Sequence, residues 1–575
     1  MSLINAQKLG HKYKIKDKDG NVTGEKWAVK NMDFSARKGE IISILGKNGS
    51  GKSTFARHLN GLLAPDEGSV IIENNSRQGC FLCTDNENGL VDIRKEIGMI
   101  FQNPDNQMVG NTVAEDIGFG LENLGWSPGD IWERIYQILE LTNMEDLRDR
   151  NVSHLSGGQK QRLAIASVMA MRPSCIVMDE ATSMLDPENS KKVLDTLYQL
   201  NSDFGISIIM ITHRVEETVD SDYIYVMENG NVALSGKPSD IYRKVDELEN
   251  LGVESLLQYK IAKGLNLDLS GYGDRILSLE DVAREVKAKY SSDEKSREEI
   301  NRFISCKYNK SNSEDVLISA KNLFYNYKDG NNEIEAVKDI SFSIRRGEKL
   351  AIAGKTGSGK STLLYMLNGL YRPQKGELSV CGFDVKNTKN LKILRKKIGF
   401  VFQYPEHQLF GNTVLDDVMY GPMNFGMKKG EALEAAKRAL SLTGMDESYY
   451  EYSPFDLSGG QKRRVALAGI LAYEPEILIL DEPVCGLDPQ AKNELFDLIN
   501  MLNEEKKVTV IFVSHDMKDV YRIADRLLIL DNGELVFDGD TRAVLENEKM
   551  TDEFGLSVPD AAKFKNMLNS GNNSV

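Results

Sequence analysis

One short run occurs twice and constrains everything else. GKNGSGKST at 46–54 returns as GKTGSGKST at 354–362, 308 residues on. FQNPDNQ at 101–107 returns as FQYPEHQ at 402–408, now 301 residues on. LSGGQKQR at 155–162, MDEATSMLDP at 178–187 and His213 return as LSGGQKRR at 457–464, LDEPVCGLDP at 480–489 and His515, each 302 residues on. Five features in one order mean two homologous halves. The drop in offset places a net insertion between the first two motifs of the first half. The Asn-, Asp- and Gly-rich stretch 73–89, ENNSRQGCFLCTDNENG, is its expected location. Cys80 and Cys83 in that stretch have the spacing of a redox or metal pair. With no second pair or histidine beside them, they read as residues of a surface loop.

The pattern around the motifs is that of an α/β fold. EIISILG (40–46) is short, apolar and rich in β-branched residues, so it reads as a buried strand ending at a glycine loop. STFARHLNGLL has helical spacing and an end signal at Gly61. SCIVMDE (174–180) and SIIMITH (207–213) are two further buried strands, each delivering a charged residue or a histidine at its C-terminal end. Open α/β sheets place ligands there. EKLAIAG, EILILDE and TVIFVSH repeat the arrangement in the second half. Composition narrows the function. A net charge of -15 opposes general nucleic-acid binding. No segment approaches the roughly 20 consecutive apolar residues of a membrane span, so membrane work must pass through a partner. The start, MSLINAQKLG, lacks the pattern of a secretory signal, and six cysteines do not suggest a disulfide framework, which fits a reducing cytoplasm.

G-x-x-x-x-G-K-[ST] fits Gly46 to Ser53 and Gly354 to Ser361. Glycines let backbone N–H groups close around phosphate oxygens, and the following helix N-terminus adds donors and a favourable dipole. The nucleotide-binding residues expected are Gly46, Asn48, Gly49, Ser50, Gly51, Lys52, Ser53 and Thr54 in one half. Gly354, Thr356, Gly357, Ser358, Gly359, Lys360, Ser361 and Thr362 are expected in the other. Lys52 and Lys360 should reach the β- and γ-phosphates, and Ser53 and Ser361 should bind Mg²⁺. Asp179 and Asp481 end apolar strands, where an acid can hold the Mg²⁺ shell. Glu180 and Glu482 follow, placed to act as general bases on the attacking water.

LSGGQ, lying between a glycine loop and a strand-DE motif, resembles the signature of ABC (ATP-binding-cassette) ATPases. The resemblance covers nearly the whole chain, twice. It implies two P-loop NTPase (ABC ATPase) domains of α/β class, each with a helical signature subdomain, plus small mainly helical C-terminal extensions. It also implies ATP and Mg²⁺ as cofactors. In such proteins a nucleotide on one P-loop meets the signature of the other domain, so Ser156, Gly157, Gly158 and Gln159 should serve the second P-loop. Ser458, Gly459, Gly460 and Gln461 should serve the first, and the halves should form an intramolecular head-to-tail dimer. Gln102 and Gln403 resemble the Q-loop glutamines, which touch Mg²⁺ and water. His213 and His515 resemble the switch histidines, and Asp186 and Asp488 the D-loop aspartates. Tyr13 and Tyr327 fall where the family stacks an aromatic on adenine, although Tyr13 also fits a plain strand residue.

Within that family the finer resemblance is to the energy-coupling-factor (ECF) importers. FQNPDNQMVGNTVAEDIGFGLEN (101–123) resembles the first ATPase of that system and FQYPEHQLFGNTVLDDVMYGPMNFG (402–426) the second. The tails at 251–286 and 554–568 resemble their C-terminal extensions. The expected boundaries are 1–245 for the first ATPase domain, 246–290 for its extension, 291–315 for a linker, 316–548 for the second domain and 549–575 for a short helical extension. Ser278 and Asp281 form a capping-box pattern, followed by an apolar stripe of Leu279, Val282, Ala283 and Val286. That helix can pack on its own domain or stabilise a dimer. The resemblance implies a peripheral ATPase on the cytoplasmic face of the cell membrane. Its partners would be an integral membrane coupling protein and a small substrate-binding membrane subunit, importing a vitamin or a transition metal ion. A translation factor of the ABC family would carry a long basic interdomain arm, yet 237–315 is about balanced in charge. A tandem sugar-importer ATPase typically has one degraded P-loop, and a DNA-repair ATPase needs a long coiled-coil insertion.

Overall fold

The computed structural model describes residues 2–16, 22–73, 81–83, 89–183, 185, 187–290, 313–329, 332–403 and 405–570. Most of the expected linker, Cys80 and Asp186 lie outside the described residues. The chain forms two compact units, one over Met1–Glu285 with Asp488–Gln490 and the other over Val286–Leu487 with Ala491–Val575.

Ten strands of the first unit make two sheets. They are β1 (Ser2–Lys16), β2 (Val22–Arg37), β3 (Ile41–Leu45), β4 (Glu67–Glu73), β5 (Phe81–Cys83), β6 (Ile97–Ile100), β7 (Cys175–Asp179), β8 (Ser207–Ile211), β9 (Tyr223–Glu228) and β10 (Asn231–Gly236). One sheet is antiparallel, in the order β2-β1-β4-β5. The other runs β10-β9-β3-β8-β7-β6 and is parallel except at β9–β10. Every residue of β3, β7 and β8 is buried. A strand covered on both faces reads as a near-continuous apolar run, which is why these runs lack polar alternation. Successive side chains still divide between two cores. Ile42, Ile44, Val177, Ile209 and Ile211 pack with Phe55 and Leu59 of the helix Lys52–Leu59 and with the antiparallel sheet. Ile176, Met178, Ile208 and Met210 pack with Ile117, Ile135 and Leu163, from the helices Val113–Asn123, Pro128–Leu141 and Gly157–Ala170.

The second unit repeats this plan with β11 (Val316–Asp329), β12 (Asn332–Arg345), β13 (Lys349–Ala353), β14 (Lys375–Val380), β15 (Phe383–Asp384), β16 (Ile398–Val401), β17 (Ile477–Asp481), β18 (Thr509–Val513), β19 (Arg526–Asp531) and β20 (Glu534–Asp540). Its sheets run β12-β11-β14-β15 and β16-β17-β18-β13-β19-β20. Both units are thus of α/β class.

One expectation needs correction. Cys83 belongs to a strand and not to a surface loop. Phe81–Cys83 pairs antiparallel with β4, with Ile71 opposite Cys83 and Ile72 opposite Leu82. The open edge of β4 offers unpaired backbone groups, and a short β-prone run satisfies them. In the second unit the same edge is closed by β15 after a two-residue turn, Cys381-Gly382, with both residues at positive φ.

The extension of the first unit carries the expected capping box. Ser278 N donates to the Asp281 carboxylate (3.0 Å) and Asp281 N to Ser278 Oγ (3.2 Å). Val282, Ala283 and Val286 are buried. The start of this helix is tied to its own unit. Leu277 N donates to the Tyr259 hydroxyl (3.1 Å), and Gln258 Nε2 donates to Leu277 O (3.0 Å).

Candidate functional site

The C-terminal ends of β3, β7 and β8 converge, and each delivers one part of a site. Gly46 leaves β3 at a φ of 147°. A Cβ there would lie 2.4 Å from Met227 O. Gly51 caps the helix Lys52–Leu59 at a φ of 103°, and a Cβ would lie 2.1 Å from Ala28 O. No L side chain fits either position. Gly354 and Gly359 repeat both constraints, at 2.1 Å from Leu530 O and 2.2 Å from Ala336 O. Between them Asn48 and Gly49, like Thr356 and Gly357, sit at the exposed tip of the loop.

Inside the loop, Lys52 is 4% exposed, and its ammonium donates to Gly46 O (2.7 Å) and Lys47 O (3.0 Å). Lys360 does the same with Gly354 O (2.8 Å) and Lys355 O (2.9 Å). Burial pushes the Lys52 ammonium below its ordinary pKa, opposed by the charges of Glu180 and Asp179. Ser50 and Ser358 are buried, and their hydroxyls have no hydrogen-bond partner among the described residues. A cation folded onto loop carbonyls beside an unused hydroxyl fits a loop built for an oxyanion, which offers both groups stronger partners. Thr54 and Thr362 meet the tyrosines. The Tyr13 hydroxyl is 3.4 Å from Thr54 Oγ1, and that of Tyr327 is 3.0 Å from Thr362 Oγ1. Each aromatic therefore stands against the loop's helix. Tyr13 is 44% exposed, which leaves its ring free to stack on a flat ligand.

The acid pair follows from β7 and β17. The Ser53 hydroxyl donates to Asp179 (2.8 Å), and that of Ser361 hydrogen-bonds Asp481. Burial pushes both aspartates up, and the neighbouring glutamate adds to it; Asp481 reaches about 6. A buried carboxylate held next to a second one favours a bound cation, and a hydroxyl plus a carboxylate is the oxygen donor set that Mg²⁺ takes. The residues present therefore fit the metal.

Glu180 and Glu482 leave their strands at φ values of 51° and 49°, in the left-handed region. For a glutamate this costs about 1–2 kcal/mol. Backbone bonds hold the turn, from Glu180 N to Ile211 O (2.9 Å) and from Glu482 N to Val513 O (3.1 Å). Each carboxylate is then gripped at both oxygens. His213 Nε2 lies 2.7 Å from Glu180 Oε1, and Gln102 Nε2 donates to Oε2 at 3.0 Å. His515 and Gln403 hold Glu482 at 2.6 and 3.0 Å. Burial pushes both glutamates up, but the histidine beside each carboxylate and the P-loop lysine outweigh it, so both stay below the ordinary glutamate range. Each is an anionic carboxylate in a fixed pose, the state a proton acceptor needs.

The signature residues are placed by their own capping. Ser156 caps the helix Gly157–Ala170; Gln159 N donates to Ser156 Oγ and Ser156 N to Gln159 Oε1 (2.9 Å). Ser458 and Gln461 repeat this. Ser156 and Gly157, and Ser458 with Gly459 and Gly460, are exposed, while Gly158 is buried against Asn189. Among the described residues no hydrogen bond joins either signature to the P-loop of its own unit. Each unit thus brings together P-loop, acid pair, glutamine and histidine, and leaves a helix N-terminus facing solvent.

Asp116 and Asp417 escaped notice in the sequence. Asp116 is buried and accepts from Val109 N (2.7 Å), Gly110 N (3.0 Å) and the Ser167 hydroxyl (2.8 Å). Asp417 accepts from Phe410 N (2.8 Å) and Gly411 N (2.6 Å). Both pin the loop that follows the glutamine. The repeated NTV-x-x-D run at 111–116 and 412–417 was the available signal.

Comparison with known proteins agrees with this geometry. The sequence pattern of the family described as ABC transporter matches residues 29–183 and 337–485. Similar proteins are provisionally named ABC transporter ATP-binding proteins. One from Caldanaerobacter subterraneus subsp. tengcongensis is 34% identical, over 94% of this chain and 93% of its own. One from Bifidobacterium longum is 35% identical, over 88% of this chain and 63% of its own. One from Methanosarcina acetivorans is 34% identical, over 92% and 86%.

The two loop glycines make a contrast to measure. Gly49 has a φ of 77° and open space around its Cβ position, whereas Gly51 has both strain and a backbone atom in the way. Gly49→Ala should cost roughly 1–2 kcal/mol. Gly51→Ala should cost about 3 kcal/mol or more and weaken ATP binding to the first unit. Denaturant unfolding and nucleotide titration check this; equal effects of the two substitutions would contradict the loop geometry.

Proposed function

The chain belongs to the ABC transporter family of ATP-binding proteins, and on that premise we propose that it is the ATP-hydrolysing subunit of an ECF-type importer. In this reading it powers uptake of a vitamin or a transition metal ion through separate membrane subunits. The observation that carries the ATP-hydrolysing part of this reading is the matched pair of held carboxylates. Glu180 and Glu482 each sit between a histidine and a glutamine, below a complete P-loop, so neither unit has lost a group that hydrolysis needs.

When bound, Mg²⁺-ATP supplies the γ-phosphoryl group whose transfer to water releases the energy. The roles of the chain follow from the donors present. Lys52 and Lys360 exchange loop carbonyls for phosphate oxygens. Ser53 with Asp179, and Ser361 with Asp481, hold the metal, with Gln102 and Gln403 beside it. Glu180 and Glu482 take the proton of the attacking water at the carboxylate. His213 and His515 keep that carboxylate anionic and aimed. Tyr13 and Tyr327 stack on the base. The exposed N-termini at Ser156 and Ser458 each offer donors to the nucleotide of the other unit, which would let ATP join the units and hydrolysis release them.

The ECF assignment rests on the segments after Gln102 and Gln403 and on the two extensions. A membrane partner is required by it, because no helix among the described residues is long and apolar enough to cross a membrane. The names of the relatives do not favour a ribosomal role.

Two measurements test the proposal. Glu180→Gln and Glu482→Gln should each lower steady-state ATP turnover by about 100-fold. Near-normal turnover in both single variants would remove the glutamates from the role of base. Tagged chain taken from detergent-solubilised membranes should bring down an integral membrane protein. Recovery of ribosomes without any membrane protein would refute the transport reading.

A further inference from the structure

The two units carry the same groups but support them differently. The signature helix begins LSGGQKQR in the first unit and LSGGQKRR in the second, so Gln161 and Arg463 occupy one position. Arg463 uses both ends of its guanidinium. Nη1 donates to Cys485 O (2.7 Å) and Nη2 to Gln403 O (3.2 Å). These carbonyls lie just past the ends of β17 and β16, two neighbouring strands, where the ladder between them has stopped. One carbonyl belongs to the residue whose amide grips Glu482, and the other to the turn that follows Glu482.

Gln161 makes no equivalent bridge. It is buried, and its Nε2 has no hydrogen-bond partner among the described residues. The first unit closes the same gap with side chains at the strand ends. Gln102 Nε2 reaches Ser183 Oγ (3.5 Å), and that hydroxyl donates to Glu180 O (2.7 Å). Ser183 corresponds to Cys485, whose thiol is the weaker donor.

We infer that Arg463 is a positioning residue of the second unit, a strut from the signature helix that fixes Gln403 and the turn after Glu482 relative to each other. The first unit assigns that task to Gln102 and Ser183. The strut also ties the signature helix of the second unit to the backbone of its Gln403 segment; the first unit joins the same two elements through side chains, Lys160 Nζ donating to Asp105 (2.5 Å). A planar guanidinium suits the task because its donors diverge in fixed directions, whereas a lysine offers one point. The inference rests on the proposed roles of Gln403 and Glu482.

Arg463→Gln places in the second unit the residue the first unit already tolerates, so folding should survive. In ligand-free full-length protein, amide hydrogen exchange should rise about tenfold across 402–411 and 484–488, and stay unchanged across 101–110 and 182–187. Steady-state ATPase kcat should fall about tenfold with KM within about twofold of the parent. Arg463→Lys should behave like Arg463→Gln. Unaltered exchange across 402–411, or recovery of the parental kcat by Arg463→Lys, would overturn the strut. Exchange is read without nucleotide. Absence of ATPase in the parent protein, with the exchange pattern intact, would therefore count against the proposed function and leave the strut standing.

Discussion

A carboxylate at the end of a buried strand has to be satisfied, and the rest of each unit is arranged around that need. β7 and β17 are apolar up to their last residue, an aspartate, and a glutamate follows directly. Two adjacent buried acids repel each other and lose hydration. Each solution uses groups delivered by neighbouring strands. The aspartate takes a serine hydroxyl from the P-loop helix. The glutamate turns into the left-handed region and takes a histidine from the end of the next strand and a glutamine from the edge strand. The parallel order of the sheet is what brings these ends to one place. Remove the order and the charges have no partners.

That constraint explains which parts were legible in the sequence. Short β-branched runs ending in DE or H report strands buried on both faces, and the structure places β3, β7 and β8 within two residues of the expected ends. The glycines were legible because a P-loop admits no Cβ at Gly46 or Gly51. The capping box at Ser278 and Asp281 was legible because capping is local. What escaped depends on residues distant in sequence. Phe81–Cys83 sits among Asn, Asp and Gly, and only the open edge of β4 makes it a strand. Asp116 looks like any acid of a helix's first turn until burial shows it holding two loop amides. Arg463 reads as one more base in a charged run, and its two carbonyls come from 60 and 22 residues away.

Duplication followed by divergence is visible at the level of single bonds. The groups that would touch nucleotide, metal and water are paired one for one between units. Some of the residues that support them are not. A serine and a glutamine do in the first unit what an arginine does in the second, and the tyrosine beside the P-loop has a histidine neighbour in one unit and further tyrosines in the other.

The central claim is that both units hold a complete and working nucleotide site. Equilibrium binding of Mg²⁺-ATP to the Glu180→Gln/Glu482→Gln double variant, in which hydrolysis is blocked and the P-loops are intact, tests it most directly. The account predicts saturation at two nucleotides per chain, one for each matched ABC segment. Saturation at one would contradict it, showing that one of the two sites is present in form and not in function.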